Sequence, residues 1–295
     1  MIKTLRDVGM GFLGISMTAT RLLLMGFSRI ARLTSSAQAA QKPIWILGNG
    51  PSCQTVLSMA SCPWDTEPAA VMAVNHFSDS PFFQKVKPTH YVISAPELLW
   101  LSAQNLKPMY VENRNRLFDH LAHQVNWDME LLVPARARQS GWWKKAIARN
   151  PHITIRYYSH LPVDGPLWFK HLIFGMQVGI PRPHNVVIPG IMSAIWLGFK
   201  DIRLLGVEHS WLPSLAVDDD NQVTLNHQHF YDQSPKIDTM NFEGQRTRKL
   251  HEVLEKFYFT FRSYWEIRDF SASAGVKITN FTPNSFIDAF PKKKI

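Results

Sequence analysis

Along the chain, short apolar runs alternate with longer stretches in which apolar side chains recur every three or four positions. The runs at 44–47, 69–74, 91–94, 130–133, 153–157, 202–205 and 276–279 are each too short for a buried helix and predict strands. The amphipathic stretches between them, at 52–60, 139–148 and 189–198 among others, predict helices. Strands interleaved with helices imply a parallel sheet covered on both faces, a doubly wound α/β domain. Gly198 and Gly275 stand just ahead of strands, where helix C-terminal glycines belong. The longest helix is expected over 239–273, with Leu250, Val253, Leu254, Phe257, Phe261 and Tyr264 as its apolar stripe. No internal repeat interrupts this order, so 42–295 reads as one domain with a mobile middle segment.

The first residues follow a different rule. Positions 8–20 and 22–28 carry no charge, and Arg21 divides them. Neither part reaches the ~20 apolar residues of a spanning helix. At 100° per residue, Lys3, Arg6, Arg21, Arg29 and Arg32 share one arc, and Leu5, Val8, Phe12, Ile15, Leu23, Phe27 and Ile30 lie opposite, although Met10, Met17 and Leu24 intrude on the cationic side. That is the pattern of an amphipathic helix in a membrane interface, expected over 1–33. A signal peptide would also explain the basic start and Ala37-Gln38-Ala39, but Arg21 interrupts its apolar core. A plain helix packed on the domain is the third reading. The small polar residues of 34–41 predict a linker.

Composition narrows the partners. With 295 residues, 18 Phe and 10 Trp, the chain can bury an ordinary core and is no solvated coil. Its two cysteines, Cys53 and Cys62, exclude a disulfide scaffold, cannot build a zinc site alone, and suit a reducing compartment. The excess of 32 Lys+Arg over 23 Asp+Glu, a net +9, calls for an anionic partner. Basic residues are spread along the chain, and Lys292-Lys293-Lys294 is the one lysine run, which argues against nucleic acid. An anionic membrane surface and a phosphate-bearing ligand remain.

Candidate chemistry gathers where strands end, because ligands of doubly wound sheets bind at the carboxyl ends of strands. The first strand runs into Gly48-Asn49-Gly50-Pro51-Ser52 and then a helix. Glycines there let backbone approach a phosphate, a helix N-terminus supplies free N–H groups, and Asn49 offers both donor and acceptor. This is neither a dinucleotide fingerprint nor a Walker loop. The alternative is a glycine turn in which Ser52 merely caps a helix. The second strand ends at Asn75-His76-Phe77, which aims a second asparagine at the same crevice. The sixth ends at Gly206-Val207-Glu208-His209, and Phe281-Thr282-Pro283-Asn284-Ser285 follows the last.

Taken in order, Gly48-Asn49-Gly50-Pro51-Ser52, Asn75, a helix led by Gly190 and ending in Leu197-Gly198-Phe199-Lys200-Asp201-Ile202, Gly206-Val207-Glu208, a later histidine, and Pro283-Asn284-Ser285 resemble the bacterial sialyltransferase family and the related flagellin-modifying glycosyltransferases, over about residues 44–290. The resemblance implies a Rossmann-like, doubly wound, mainly parallel sheet. It also implies inverting transfer of a sugar from a CMP-activated nine-carbon acid, without metal or other cofactor. The nucleotide would be held by Gly48, Asn49, Gly50, Pro51, Ser52, Asn75, Gly190, Glu208, Asn284 and Ser285, and a histidine would be the general base. The sequence departs from the family at Ser94-Ala95, where a third asparagine is expected, and at Ile188-Pro189, where a Thr-Ser pair is expected. Both positions concern the donor. The implied setting is assembly of lipopolysaccharide or capsule on a glycan or glycolipid acceptor, at the cytoplasmic face of the inner membrane.

Two histidines compete for the chemistry. His229 lies in a polar loop where the resemblance places the base, and His209, directly after a strand, could instead donate to the leaving phosphate. Asp218-Asp219-Asp220 suits a hydrated turn better than a metal site. Arg136, Arg138, Lys144, Lys145 and Arg149 with Trp142 and Trp143 form either a solvated helix face or a platform for an acceptor glycan or headgroup. A pterin diphosphokinase-like enzyme and a degenerate nucleotide-binding module are the alternative functions.

Overall fold

The computed structural model describes residues 2–25, 29–227, 236–239, 241–242 and 246–295, with side chains at 9, 11–24, 29–225 and 247–295. Its strands are β1 (Ile44–Leu47), β2 (Ala70–Val74), β3 (His90–Val92), β4 (Met129–Pro134), β5 (Ile153–Tyr158), β6 (Asp201–Leu205), β7 (Leu215–Val217), β8 (Val223–His227), β9 (Lys236–Thr239), β10 (Asn241–Phe242), β11 (Arg246–Thr247) and β12 (Lys277–Asn280). Seven of them form one sheet in the order β12-β6-β1-β2-β3-β4-β5, and every pairing in it is parallel. These are the seven strands expected from the apolar runs, shifted by a residue or two at their ends.

Helices cover both faces. One layer holds α2 (Pro51–Leu57), α3 (Phe83–Val86), α4 (Pro96–Leu99), α5 (Pro108–Gln124) and α6 (Trp142–Ile147); the other holds α7 (Leu167–Gly175), α8 (Val187–Trp196) and α9 (Leu250–Ser273). Strand residues divide between the layers by simple alternation: Ile44, Ile46, Ala70, Met72 and Val74 face the second, while Trp45, Leu47, Val71 and Ala73 face the first. Burial on both sides is why β1 and β2 read as unbroken apolar runs. The chain steps from β1 outward through β5, then returns through α7 and α8 to place β6 on the other side of β1. The switch point of the sheet therefore lies between the carboxyl ends of β1 and β6.

One expectation is corrected. The long helix begins at Leu250, where the Glu252 carboxylate accepts the Lys249 N–H at 2.8 Å. Residues before it, polar and interrupted by Gly244, instead contribute β9, β10 and β11; β7, β8 and β9 form a small antiparallel sheet, and β10 pairs with β11. The aspartate run is the turn between β7 and β8, with the Asp218 carboxylate accepting the Gln222 N–H at 2.7 Å.

The N-terminal helix, α1 (Ile2–Met25), is present and lies against the domain. Gly11, Gly14, Ile15, Thr18, Arg21 and Leu22 form its inward side. A Cβ at Gly14 would meet the backbone of Gly165, so only glycine allows this approach. Thr18 Oγ1 donates to the Asp164 carbonyl and accepts the Asp164 N–H, each at 2.9 Å. Arg21 reaches the Asp164 carboxylate at 2.5 Å and the Pro162 carbonyl at 3.1 Å. This corrects the helical wheel: Arg21 sits on the docked side, because its charge has a partner there. Residues 31–39 are packed as well. Ala31, Leu33 and Ala39 are buried, and the Ser36 N–H donates to the Leu197 carbonyl, so the 34–41 segment runs along the domain surface. No helix among the described residues is long and apolar enough to cross a membrane.

Gly14→Leu should force α1 off its seat at a cost on the order of 1–3 kcal/mol, seen as faster amide exchange across 11–22 with little change in the sheet. Acid should act on the same contact. Although burial raises the Asp164 pKa, the hydrogen bonds and charges of Arg21 and Arg182 hold it below 3.8. The docking is thus complete above that pH and is lost as pH falls through the lowered value. Equal exchange of α1 at pH 6 and in strong acid would contradict this.

Candidate functional site

The backbones after β1 and β6 touch. Gly48 N–H donates to the Leu205 carbonyl at 2.8 Å and Gly50 N–H to the Gly206 carbonyl at 2.9 Å. A Cβ at Gly48 would strike the Gly206 carbonyl, and one at Gly50 would strike the Glu208 carboxylate. Both glycines are therefore required by this close approach. Gly50 precedes Pro51, which opens α2 with the residue whose fixed φ suits a first helical position.

The first turn of α2 is where a phosphate was expected, and the protein's own carboxylate holds it. Ser52 N–H donates to Glu208 Oε1 at 2.7 Å. A negative group at a helix N-terminus is favourable, and it would repel a phosphate at the same amide. Glu208 is thus joined to Gly50 and Ser52. Its other oxygen, Oε2, is buried without a hydrogen-bond partner among the described residues, as are Asn49 Oδ1 and Ser52 Oγ. Three buried polar atoms around one turn invite hydroxyl or amide groups from a ligand.

Asn75 lies across the crevice at φ +44°, a conformation asparagine tolerates better than most residues. Its carbonyl accepts the Tyr91 hydroxyl at 2.5 Å, its Oδ1 accepts the Ser94 N–H at 3.2 Å, and Asn49 Nδ2 reaches the Val74 carbonyl at 3.5 Å. Ser94 Oγ in turn meets His160 Nε2 at 3.0 Å, which extends a polar row from β1 to β5 along the carboxyl edge.

The remaining positions fall into distinct roles. The Ser285 hydroxyl donates to the Val207 carbonyl at 2.7 Å, and Phe286 N–H to the Glu208 carbonyl at 2.8 Å, so this segment braces the Glu208 backbone. Asn284, at φ +54°, is exposed beside it. Gly190 is corrected: it is buried one turn into α8, where a Cβ would meet Met72 and Ile46 in the sheet, so it serves helix–sheet packing and not the crevice. Of the two readings of the basic aromatic cluster, the platform loses its aromatic faces, since Trp143 is fully buried and Arg114 lies over the Trp142 ring. His229 falls outside the described residues.

His209 is held in one state. Asn185 Oδ1 accepts the N–H groups of Val187 and Ile188 at 2.9 and 3.2 Å, which fixes the orientation of its amide. The Tyr264 hydroxyl, 3.1 Å from the same oxygen, must therefore donate to it. Tyr264 has no second proton, so His209 Nε2, 2.5 Å away, carries a hydrogen and donates. The imidazole stacks on Trp211 at 4.2 Å, and burial lowers its pKa to about 3. A neutral ring with its Nε2–H engaged does not supply a charged donor to a leaving phosphate.

Sequence reasoning passed over His76, directly after Asn75. Its Nδ1 lies 3.5 Å from Asp79 Oδ2, His120 Nδ1 lies 3.3 Å from Oδ1, and Arg116 donates to Oδ2 at 3.0 Å. Burial raises the Asp79 pKa, but the hydrogen bonds from His76 and Arg116 outweigh it and hold the carboxyl below its ordinary value. Asp79 thus draws two imidazoles and a guanidinium together beside the carboxyl end of β2. The signal was present as His and Asp three residues apart in a tight turn. Among the described residues, no cluster of His, Cys, Asp and Glu is arranged to hold a metal ion. Comparison with protein families, curated proteins and solved structures gives no match to this chain.

Two measurements probe this geometry. Gly50→Ala should destabilise the fold by about 1–3 kcal/mol, and adding Glu208→Ala should restore part of the loss, because the collision is with that carboxylate. Burial also holds His90, His160 and His184 at about 4 and His209 at about 3. The unfolded chain then binds more protons below 6.5, so stability is lost as pH falls from 6.5 toward 4, by at most about 1.4 kcal/mol per pH unit for each histidine. Equal urea midpoints at pH 7.5 and 5 would contradict the assignment.

Proposed function

We propose that the chain is a glycosyltransferase of bacterial surface-glycan assembly that transfers a sugar, with inversion, from a CMP-activated donor to a glycan or glycolipid acceptor. The observation that carries this reading is the turn after β1. Asn49 Oδ1, Ser52 Oγ and Glu208 Oε2 are buried there without partners among the described residues, at the switch point of a doubly wound sheet. Glu208 favours a nucleoside monophosphate carrier over a diphosphate. A carboxylate seated at the α2 amides accepts ribose hydroxyls and repels a pyrophosphate cradled in the same place. The order of motifs that resembles the sialyltransferases supports the transferase chemistry.

In the proposed reaction the acceptor hydroxyl forms a bond to the anomeric carbon as the bond from that carbon to the CMP phosphate oxygen breaks. CMP leaves with the electron pair, and a histidine takes the hydroxyl proton. The resemblance assigns that proton to His229. His209 and its Tyr264 and Asn185 partners form a rigid wall beside Glu208.

Calorimetry with CMP, CDP, UDP, GDP and ATP tests the donor. CMP should bind most tightly, and Asn49→Ala should weaken it by about 1–3 kcal/mol, the cost of an unpaired polar partner. Preference for ATP, or unchanged affinity in Asn49→Ala, would overturn the reading. Once a donor is found, His229→Ala should lower turnover by roughly 10²–10⁴-fold while leaving CMP affinity nearly intact.

A further inference from the structure

The docking of α1 leaves an unusual surface behind. Positions 9, 12, 13, 16, 17, 19, 20, 23 and 24 of the helix are exposed, and none carries a charge. Phe12 is 68% exposed, Leu23 82% and Leu24 81%, with Leu13 and Met17 beside them. Arg21 is the single charge between residues 8 and 28, and it is turned inward and neutralised by Asp164. A second element continues the surface. The loop that seats α1 passes through Gly165 and Pro166, in contact with Ile15 and Gly11, straight into α7. The outward side of α7 is Leu167, Trp168, Leu172, Gly175 and Met176, again without charge, and Trp168 is 65% exposed. The one lysine of α7, Lys170, is buried against Glu266 at 2.5 Å.

We infer that the outward sides of α1 and α7 together form a membrane-binding surface whose ligand is a bilayer interface containing anionic lipid. Four observations select a bilayer. The exposed apolar residues come from two separate helices, and each helix has turned its buried-side cation onto an acidic partner within the domain. The basic residues nearest this surface in sequence, Lys3 and Arg6 before it and Arg29 and Arg32 after it, flank its ends and complement anionic headgroups, as does the net charge of +9. Contacts at Gly14, Thr18 and Arg21, about one turn apart, bind α1 lengthwise to the domain, so the helix lies in the interface plane and does not cross it. Trp168 is the residue type that favours the headgroup region. This surface does not depend on the proposed transferase reaction.

Flotation of the full chain with vesicles of phosphatidylcholine, with and without phosphatidylglycerol, tests it. The protein should float with the anionic vesicles and less with the neutral ones. Trp168→Glu and Leu23→Glu, both at exposed positions, should lower the bound fraction about tenfold, since each places a charge in the apolar contact. Met109→Glu, at an exposed apolar position on α5, should float like the parent chain. Circular dichroism melts of all three variants should match the parent. Equal flotation of Trp168→Glu and the parent would overturn the inference. So would a dimer in lipid-free sedimentation that Trp168→Glu dissociates, because the surface would then belong to a second copy of the chain.

Discussion

The geometry of the crevice depends on one contact, the Glu208 carboxylate set at the first amide of α2. It binds the loop after β6 to the loop after β1, the two strands whose carboxyl ends define the switch point of the sheet. The contact exists only because Gly48, Gly50 and Gly206 let two backbones approach within hydrogen-bonding distance. Neighbouring segments are then arranged around it. Ser285 and Phe286 hold the Glu208 backbone from one side, and His209, fixed by Tyr264 and Asn185, closes the other. A glycine-rich turn that resembles a phosphate cradle thereby becomes a carboxylate cradle, with one carboxylate oxygen packed against Gly50.

The same logic, a charge satisfied inside so that a surface can be uncharged outside, governs the N-terminal helix. Asp164 gathers Arg21 from α1 and Arg182 from the body of the domain. Glu266 does the same for Lys170 and Arg262. The pairings of Arg21 and Lys170 remove a cation from the exposed sides of α1 and α7. Ion pairs of this half-buried kind add little net stability, because desolvation offsets much of the attraction. Their effect is on orientation: they decide which side of each helix faces outward.

Much of the fold was legible in the chain. The runs of β1 and β2 were legible because strands buried on both faces are apolar throughout, and that constraint is local. Helix ends at Gly198 and Gly275 were legible because left-handed φ, here +98° and +63°, favours glycine. The start of the long helix was misread, because its apolar stripe begins only at Leu250, where the Glu252 cap sets the true start. Of the candidate site, Gly48, Asn49, Gly50, Ser52, Asn75, Glu208 and His209 were legible as strand-end residues and are gathered at one edge. Gly190 was not, since only the packing of α8 shows that it faces Met72 and Ile46.

The sequence by itself determined the layers, the strand set and the edge of the sheet where polar groups converge, because periodicity and turn chemistry act over a few residues. What only the tertiary structure decided are relations between distant residues. Arg21 and Asp164 are 143 positions apart, and Ser52 and Glu208 are 156 apart. No local pattern records that a cation on a helical wheel has a carboxylate waiting for it, or that a helix N-terminus has been taken by a side chain from another strand. Both are consequences of through-space charge and close packing, which exist only once the chain has folded.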